Sequence, residues 1–143
     1  MENRLLSYVY FFNVKRDYFE CHEYGESLWL DCGRPEVLKG LIQAAICLYH
    51  LQNGNVRGGY SMWLRAHKYL IPYLPTYESI DLVQLCGDID KVFACVPKTW
   101  YDQIRTPKEI ADLHLPVVYI TIHDTDLYAI LETFVPVSLE ESK

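Results

Sequence analysis

A mostly α-helical bundle built from helical hairpins, with one short extended element near the C-terminus, is the fold class this sequence predicts. Three observations lead there. Apolar residues recur at helical spacing from Leu5 to Phe93. The gaps between periodic stretches carry helix stop and start residues, namely Asp17, Gly33, Pro35, Asn53-Gly54-Asn55, Pro72 and Pro75. Only one run, Val117–Ile122, is dense in β-branched and aromatic residues. At 143 residues the chain has the length of a single domain, 1–143. Within it, 1–96 reads as the bundle core. The remainder, 97–143, reads as an irregular extension with one short strand and short helices.

Taken in order, Glu2–Asn13 is the first expected helix, and Val14-Lys15-Arg16-Asp17 a polar break with Asp17 as N-cap. The second helix runs from Tyr18 to about Leu30. Gly33 stops it, and Pro35 opens the next at its first position. The third, Glu36–Gln52, is apolar almost all round and is therefore expected at the centre. Asn53-Gly54-Asn55 ends it and caps a fourth helix from Val56 to about Ile71. Gly58 and Gly59 would each cost that helix about 1 kcal/mol relative to Ala, so close contact with a neighbour is expected to compensate. Pro72 and Pro75 terminate it. Leu82, Leu85, Cys86, Ile89, Val92 and Phe93 then mark a fifth, amphipathic helix.

Thr106-Pro107-Lys108-Glu109 is a capping box with Pro at the first helical position, opening a short helix to about Leu113. Val117–Ile122 is the expected strand. A lone strand is poorly stable, so it needs a partner segment or a second subunit. Asp124 caps a last short helix around Leu127–Phe134, and His123-Asp124-Thr125-Asp126 reads as a turn with that cap rather than a cation site. The tail Ser138–Lys143 is expected to fray. A weak internal echo at a spacing of about forty residues pairs Phe11-Phe12-Asn13 with Leu51-Gln52-Asn53. It suggests two helical hairpins in the first four helices.

Composition narrows the function classes. Half the residues are apolar, with 12 Tyr and 3 Trp, which supplies a substantial core. A formal charge of −6 argues against a nucleic-acid partner, and no polybasic stretch is present to hold a membrane. The five cysteines (21, 32, 47, 86 and 95) form no CxxC pair and sit mostly in apolar helical stretches. They read as buried free thiols in a reducing compartment. Leu5–Phe12 is too short to span a membrane and is followed by no small-residue cleavage site, so the cytoplasm is the expected location. A homodimer through the C-terminal element and a protein partner are the associations considered.

The chemistry concentrates on the second helix. At 100° per residue, Tyr18, Phe19, His22, Glu23, Glu26, Trp29 and Leu30 share one arc of about 140°. Their aromatic and apolar company predicts that this face is buried. Ionisable groups placed there must be paired or bind something. His22 and Glu26, one turn apart, have the spacing to ligate one metal ion, as the two His of H-E-x-x-H do, but here the second His is a Glu. On the third helix Lys39, Gln43 and His50 form a polar seam. His50 would supply a missing nitrogen ligand, while Lys39 or Gln43 would offset charge. The opposing readings are a buried hydrogen-bond network that fixes helix register, and a seam that simply faces water.

Phe12-Asn13, Tyr18-Phe19-Glu20-Cys21-His22-Glu23, Glu26, Leu28-Trp29, Gly40-Leu41-Ile42-Gln43, Tyr49-His50, Gly54-Asn55 and Gly58 together resemble domain of unknown function 309, a family of small prokaryotic helical proteins. The resemblance covers roughly residues 8–72. It implies a mainly α-helical bundle with no established activity, and its recurring polar positions fall on His22, Glu23, Glu26, Gln43 and His50. Family members commonly carry a bulky residue where this chain has Gly25, a departure expected to loosen the second helix.

The expected site therefore has His22, Glu26 and His50 as ligands of a divalent metal, Glu23 as general base, and Gln43, Lys39 and Trp29 as ligand-binding residues. Metal-assisted hydrolysis is the reaction class such a site would serve. A non-enzymatic interaction module, with the cluster as a structural network, is the alternative.

Overall fold

Helix capping follows the sequence closely in the computed structural model, which describes residues 1–139. The expected fraying of Ser138–Lys143 falls, from residue 140 onward, outside the described residues. Helix α1 (Asn3–Tyr10) continues into a widened π-helical turn, Phe11–Lys15, which ends where Arg16 adopts φ 54°. The expected break at Val14 is thus shorter, confined to Arg16 and Asp17. The Asp17 carboxylate accepts the Glu20 N–H at 3.0 Å and starts α2 (Tyr18–Asp31). Pro35 is the N-cap of α3 (Glu36–Gln52) rather than its first residue. Asn55 accepts the Gly58 N–H at 2.9 Å and opens α4 (Val56–Leu70).

Asp81 caps α5 (Leu82–Ala94), and the Thr106/Glu109 box closes in both directions on α6 (Pro107–Ala111). Asp124 accepts the N–H groups of Asp126 and Leu127 at the start of α7 (Thr125–Glu132).

The helices α1, α2, α3 and α4 pack successively, with α3 between α2 and α4. That placement explains its nearly all-apolar surface: Leu41, Ala44, Ala45 and Cys47 have no exposure at all. A Cβ on Gly59 would sit 2.9 Å from the Cys47 carbonyl oxygen, so this glycine admits α4 against α3 as expected, whereas a Cβ on Gly58 would meet the side chain of the cap residue Asn55. One hydrophobic cluster then runs from Leu5 to Leu131. Two of the five thiols depart from the expected burial. Cys32 and Cys95 are exposed C-cap residues, whereas Cys21, Cys47 and Cys86 are covered. No helix among the described residues is long and apolar enough to cross a membrane.

A small antiparallel hairpin, β1 (Thr76–Tyr77) and β2 (Ile80–Asp81), precedes α5. Its turn residues Glu78 and Ser79 both have positive φ, at 49° and 70°, the backbone of a tight hairpin turn built without Asn or Gly. Segment 117–122 is extended and alternates as a strand does: Val118, Ile120 and Ile122 are buried, Val117 and Tyr119 exposed. Its ladder is a single bridge, Ile80 to Ile122, flanked by Asp81 N–H to Thr121 O at 2.8 Å and His123 N–H to Ser79 O at 2.7 Å. The rest of its pairing comes from side chains. The Asn13 amide both donates to and accepts from the Ile120 backbone, at 2.8 and 2.7 Å, and Arg16 Nη1 donates to Val118 O. The expected strand thus finds its partners within this chain, mostly from α1's widened turn, and only a short part of it is laddered.

Candidate functional site

Helix α2 buries a different stripe from the expected one. Its covered residues are Tyr18, Cys21, Tyr24, Gly25 and Leu28. Phe19 and Leu30, expected in the core, are 45% and 48% exposed. The physical reason lies at Gly25, where a Cβ would be 2.9 Å from Ile42 Cγ1 and 3.4 Å from Tyr8 Cδ2. The small Cys21 and Gly25 let α2 approach α1 and α3 more closely than a face of bulky rings would. Gly25 therefore tightens the packing of α2 and does not loosen it.

The expected polar cluster consequently sits on the open flank of α2. His22 Nδ1 lies 2.9 Å from the Phe19 carbonyl, which can only accept, so Nδ1 carries a hydrogen. That leaves Nε2 facing Glu26 Oε2 at 3.3 Å, with Glu23 Oε1 3.7 Å from Nδ1. The side chains are 16%, 41% and 49% exposed for His22, Glu23 and Glu26, so the cluster is neither dry nor closed. His22 is the sole ion-pair partner of both carboxylates among the described residues. The His22 Nε2 edge and the Glu26 carboxylate thus stand together on the open flank of α2. Cys21, its sequence neighbour, points inward, and burial pushes its thiol well above the usual range.

A cleft of 260 Å³ opens beside the cluster, lined by Glu23, Glu26, Ser27, Leu30, Asp31 and Leu139. Ser27 and Asp31 were not anticipated. Arg4 of α1 reaches both, with Nη1 2.6 Å from Asp31 Oδ2 and 3.2 Å from Ser27 Oγ. The signal was present in the sequence: an acid in the last turn of a helix opposes the macrodipole and calls for a cation.

The seam on α3 does not pair with these carboxylates. Lys39 stands 5.1 Å from the Tyr69 ring on α4, and His50 approaches the Asn55 amide at 3.5 Å beyond the end of α3. His22 and His50 are linked only through rings, from His22 to Phe19, Phe19 to Tyr49 and Tyr49 to His50. Among the described residues no three His, Cys, Asp or Glu side chains are grouped to hold a metal ion, so His50 does not join His22 and Glu26. The remaining expected residues are informative in another way. Trp29 Nε1 and Gln43 Oε1 are buried and lack a hydrogen-bond partner among the described residues. Arg34 stacks over the Trp29 ring at 5.4 Å without touching that donor. An unmade bond of this kind costs about 1–3 kcal/mol and calls for an explanation.

Residues 5–62 match the family described as Domain of unknown function (DUF309). The resemblance read from the sequence is borne out there, with the DUF309 match taking in most of α1, all of α2 and α3 and the first half of α4, and so the positions His22, Glu23, Glu26, Gln43 and His50. The chain is also 29% identical over 115 residues to the uncharacterized protein YpuF of Bacillus subtilis (strain 168). That alignment covers 78% of this chain and 63% of YpuF, so the chain spans less than two thirds of that relative's length. No solved structure matches it.

Proposed function

We propose that the α2 cleft binds a small polar ligand with a cationic head group, recognised by Glu23 and Glu26 of its lining, with His22 beside Glu26. The observation that carries this reading is the open His22–Glu26 pair, whose carboxylates meet no Lys or Arg among the described residues. Trp29 and Gln43 do not line this cleft, and the reading rests on Glu23, Glu26 and the adjoining His22. An organic cation fits this set better than a metal ion. His22 and Glu26 supply two donors where a closed zinc site uses about four. Five free thiols support a reducing compartment, the cytoplasm, as the setting. The reading needs no second subunit, because segment 117–122 pairs within the chain.

The test titrates purified protein with putrescine and, separately, measures bound metal in protein made without a chelating tag. Saturable putrescine binding, lost in Glu26→Gln and His22→Ala, is expected. His22→Ala should also change stability by less than about 1 kcal/mol, as for an exposed pair. A loss of about 3–5 kcal/mol would instead mark a buried structural pair and defeat the ligand reading. One metal ion per chain would transfer the site to metal-assisted hydrolysis, with Glu23 as general base and the coordination completed from outside the described set.

The interaction-module reading rests on the exposed Phe19 and Leu30 flanking the same cluster. It predicts that a protein partner is lost on Phe19→Ser and kept in His22→Ala.

A further inference from the structure

A second cleft, of 290 Å³, lies where α3, α5, α6 and the extended segment meet, and it shares no lining residue with the α2 cleft. Its apolar floor is Leu48, Leu51, Val92 and Ile110, each no more than 6% exposed. Arg16 lines it, and among the described residues no Asp or Glu does, on a chain whose formal charge is −6. Leu48, Leu51 and Arg16 come from the DUF309 match, Val92 and Ile110 from beyond it. A cleft at such a junction is a common place for a small molecule, and this volume stands near the lower end of the roughly 300–1,000 Å³ usual for one.

Arg16 is held in place. Its backbone is left-handed at φ 54°, Nη1 donates to Phe12 O at 3.0 Å and Val118 O at 2.5 Å, and Nη2 donates to the Tyr18 hydroxyl at 2.7 Å. The Tyr18 and Tyr119 rings lie 5.5 and 4.8 Å from the guanidinium carbon. Every one of those partners is neutral, and no carboxylate pairs with Arg16 among the described residues. A guanidinium has about five N–H groups. Three are used among the described residues, which leaves one on Nε and one on Nη2. A fixed guanidinium with two spare donors is suited to the two oxygens of a carboxylate.

We propose that this cleft binds a medium-chain carboxylate, its carboxyl group on Arg16 and its alkyl chain against Leu48, Leu51, Val92 and Ile110. The class follows from the pairing of an uncompensated cation with an apolar floor. A neutral alkane derivative would leave the two donors unused, and an alkyl cation would be repelled.

The experiment is calorimetric titration of the full chain with octanoate, 1-octanol and octyltrimethylammonium. Octanoate is expected to bind saturably, about tenfold or more tighter than 1-octanol, which corresponds to one charge-assisted contact. Octyltrimethylammonium is expected not to bind. Arg16→Gln should bring octanoate down to the level of 1-octanol. Because Arg16 also bonds three structural acceptors, Ala111→Phe serves as a second variant, which fills the cleft from an exposed lip residue. Ala111→Phe should abolish octanoate binding with thermal unfolding unchanged. Octanoate that fails to bind, binds no better than 1-octanol, or binds Ala111→Phe as it binds the parent overturns the proposal.

Discussion

Cys21 and His22 are adjacent in sequence and meet opposite surroundings. The Cys21 thiol is fully buried, donates to the Tyr8 carbonyl at 3.2 Å, and is pushed well above its usual range by desolvation. Burial pushes Cys47 up as well, and Cys86 up to about 11. A thiol that is covered and held protonated does not react, because the thiolate is the nucleophile. Cys32 and Cys95 are exposed. An alkylating reagent at about pH 8 is therefore expected to modify those two rapidly in the native protein and all five only in denaturant. Mass-spectrometric mapping checks it, and rapid native labelling of Cys21 or Cys47 would contradict the packing. The sequence made the i, i+4 relation of His22 and Glu26 legible. It did not reveal which side of α2 they face, because ring size dominated the wheel while the small Cys21 and Gly25 made the contact.

At the scale of elements, start and stop chemistry carried the most information. Helix α3 spans Glu36–Gln52 at both ends as expected, and each of Asp17, Asn55, Thr106 and Asp124 caps the helix assigned to it. The β1–β2 hairpin was not legible, since Glu78 and Ser79 occupy positive-φ positions that usually signal themselves as Asn or Gly. Two helical glycines allow packing to be separated from propensity. A Cβ on Gly59 meets the Cys47 backbone, whereas a Cβ on Gly87 in α5 meets nothing within 4 Å. Gly87→Ala is expected to stabilise the protein by about 0.4–1 kcal/mol through the unfolded chain. Gly59→Ala should instead destabilise it by about 1–3 kcal/mol, since α4 must move off α3. Urea unfolding of the two variants decides the matter, and two changes of the same sign would refute the assigned contact.

Over the whole molecule, segment 117–122 is fastened to the N-terminal helices by polar contacts from Asn13 and Arg16. Asn13 satisfies both backbone groups of Ile120, and Arg16 satisfies Val118 O. Asn13→Ala leaves two part-buried backbone groups without these partners, at about 1–3 kcal/mol for each that water cannot reach. Amide exchange in 117–122 should then accelerate well before that of α3. Uniform acceleration across both would show that the extension is not a separately fastened unit. By itself the sequence determined the helical class, most of the helix caps and the company of His22, Glu23 and Glu26, because capping and spacing are local and written in neighbouring residues. Only the tertiary structure decided which flank of α2 is open, that His50 stands apart from His22, and that Arg16 edges an apolar cleft. Those outcomes depend on how closely helices approach and on contacts between residues as far apart as Asn13 and Ile120, which no local pattern records.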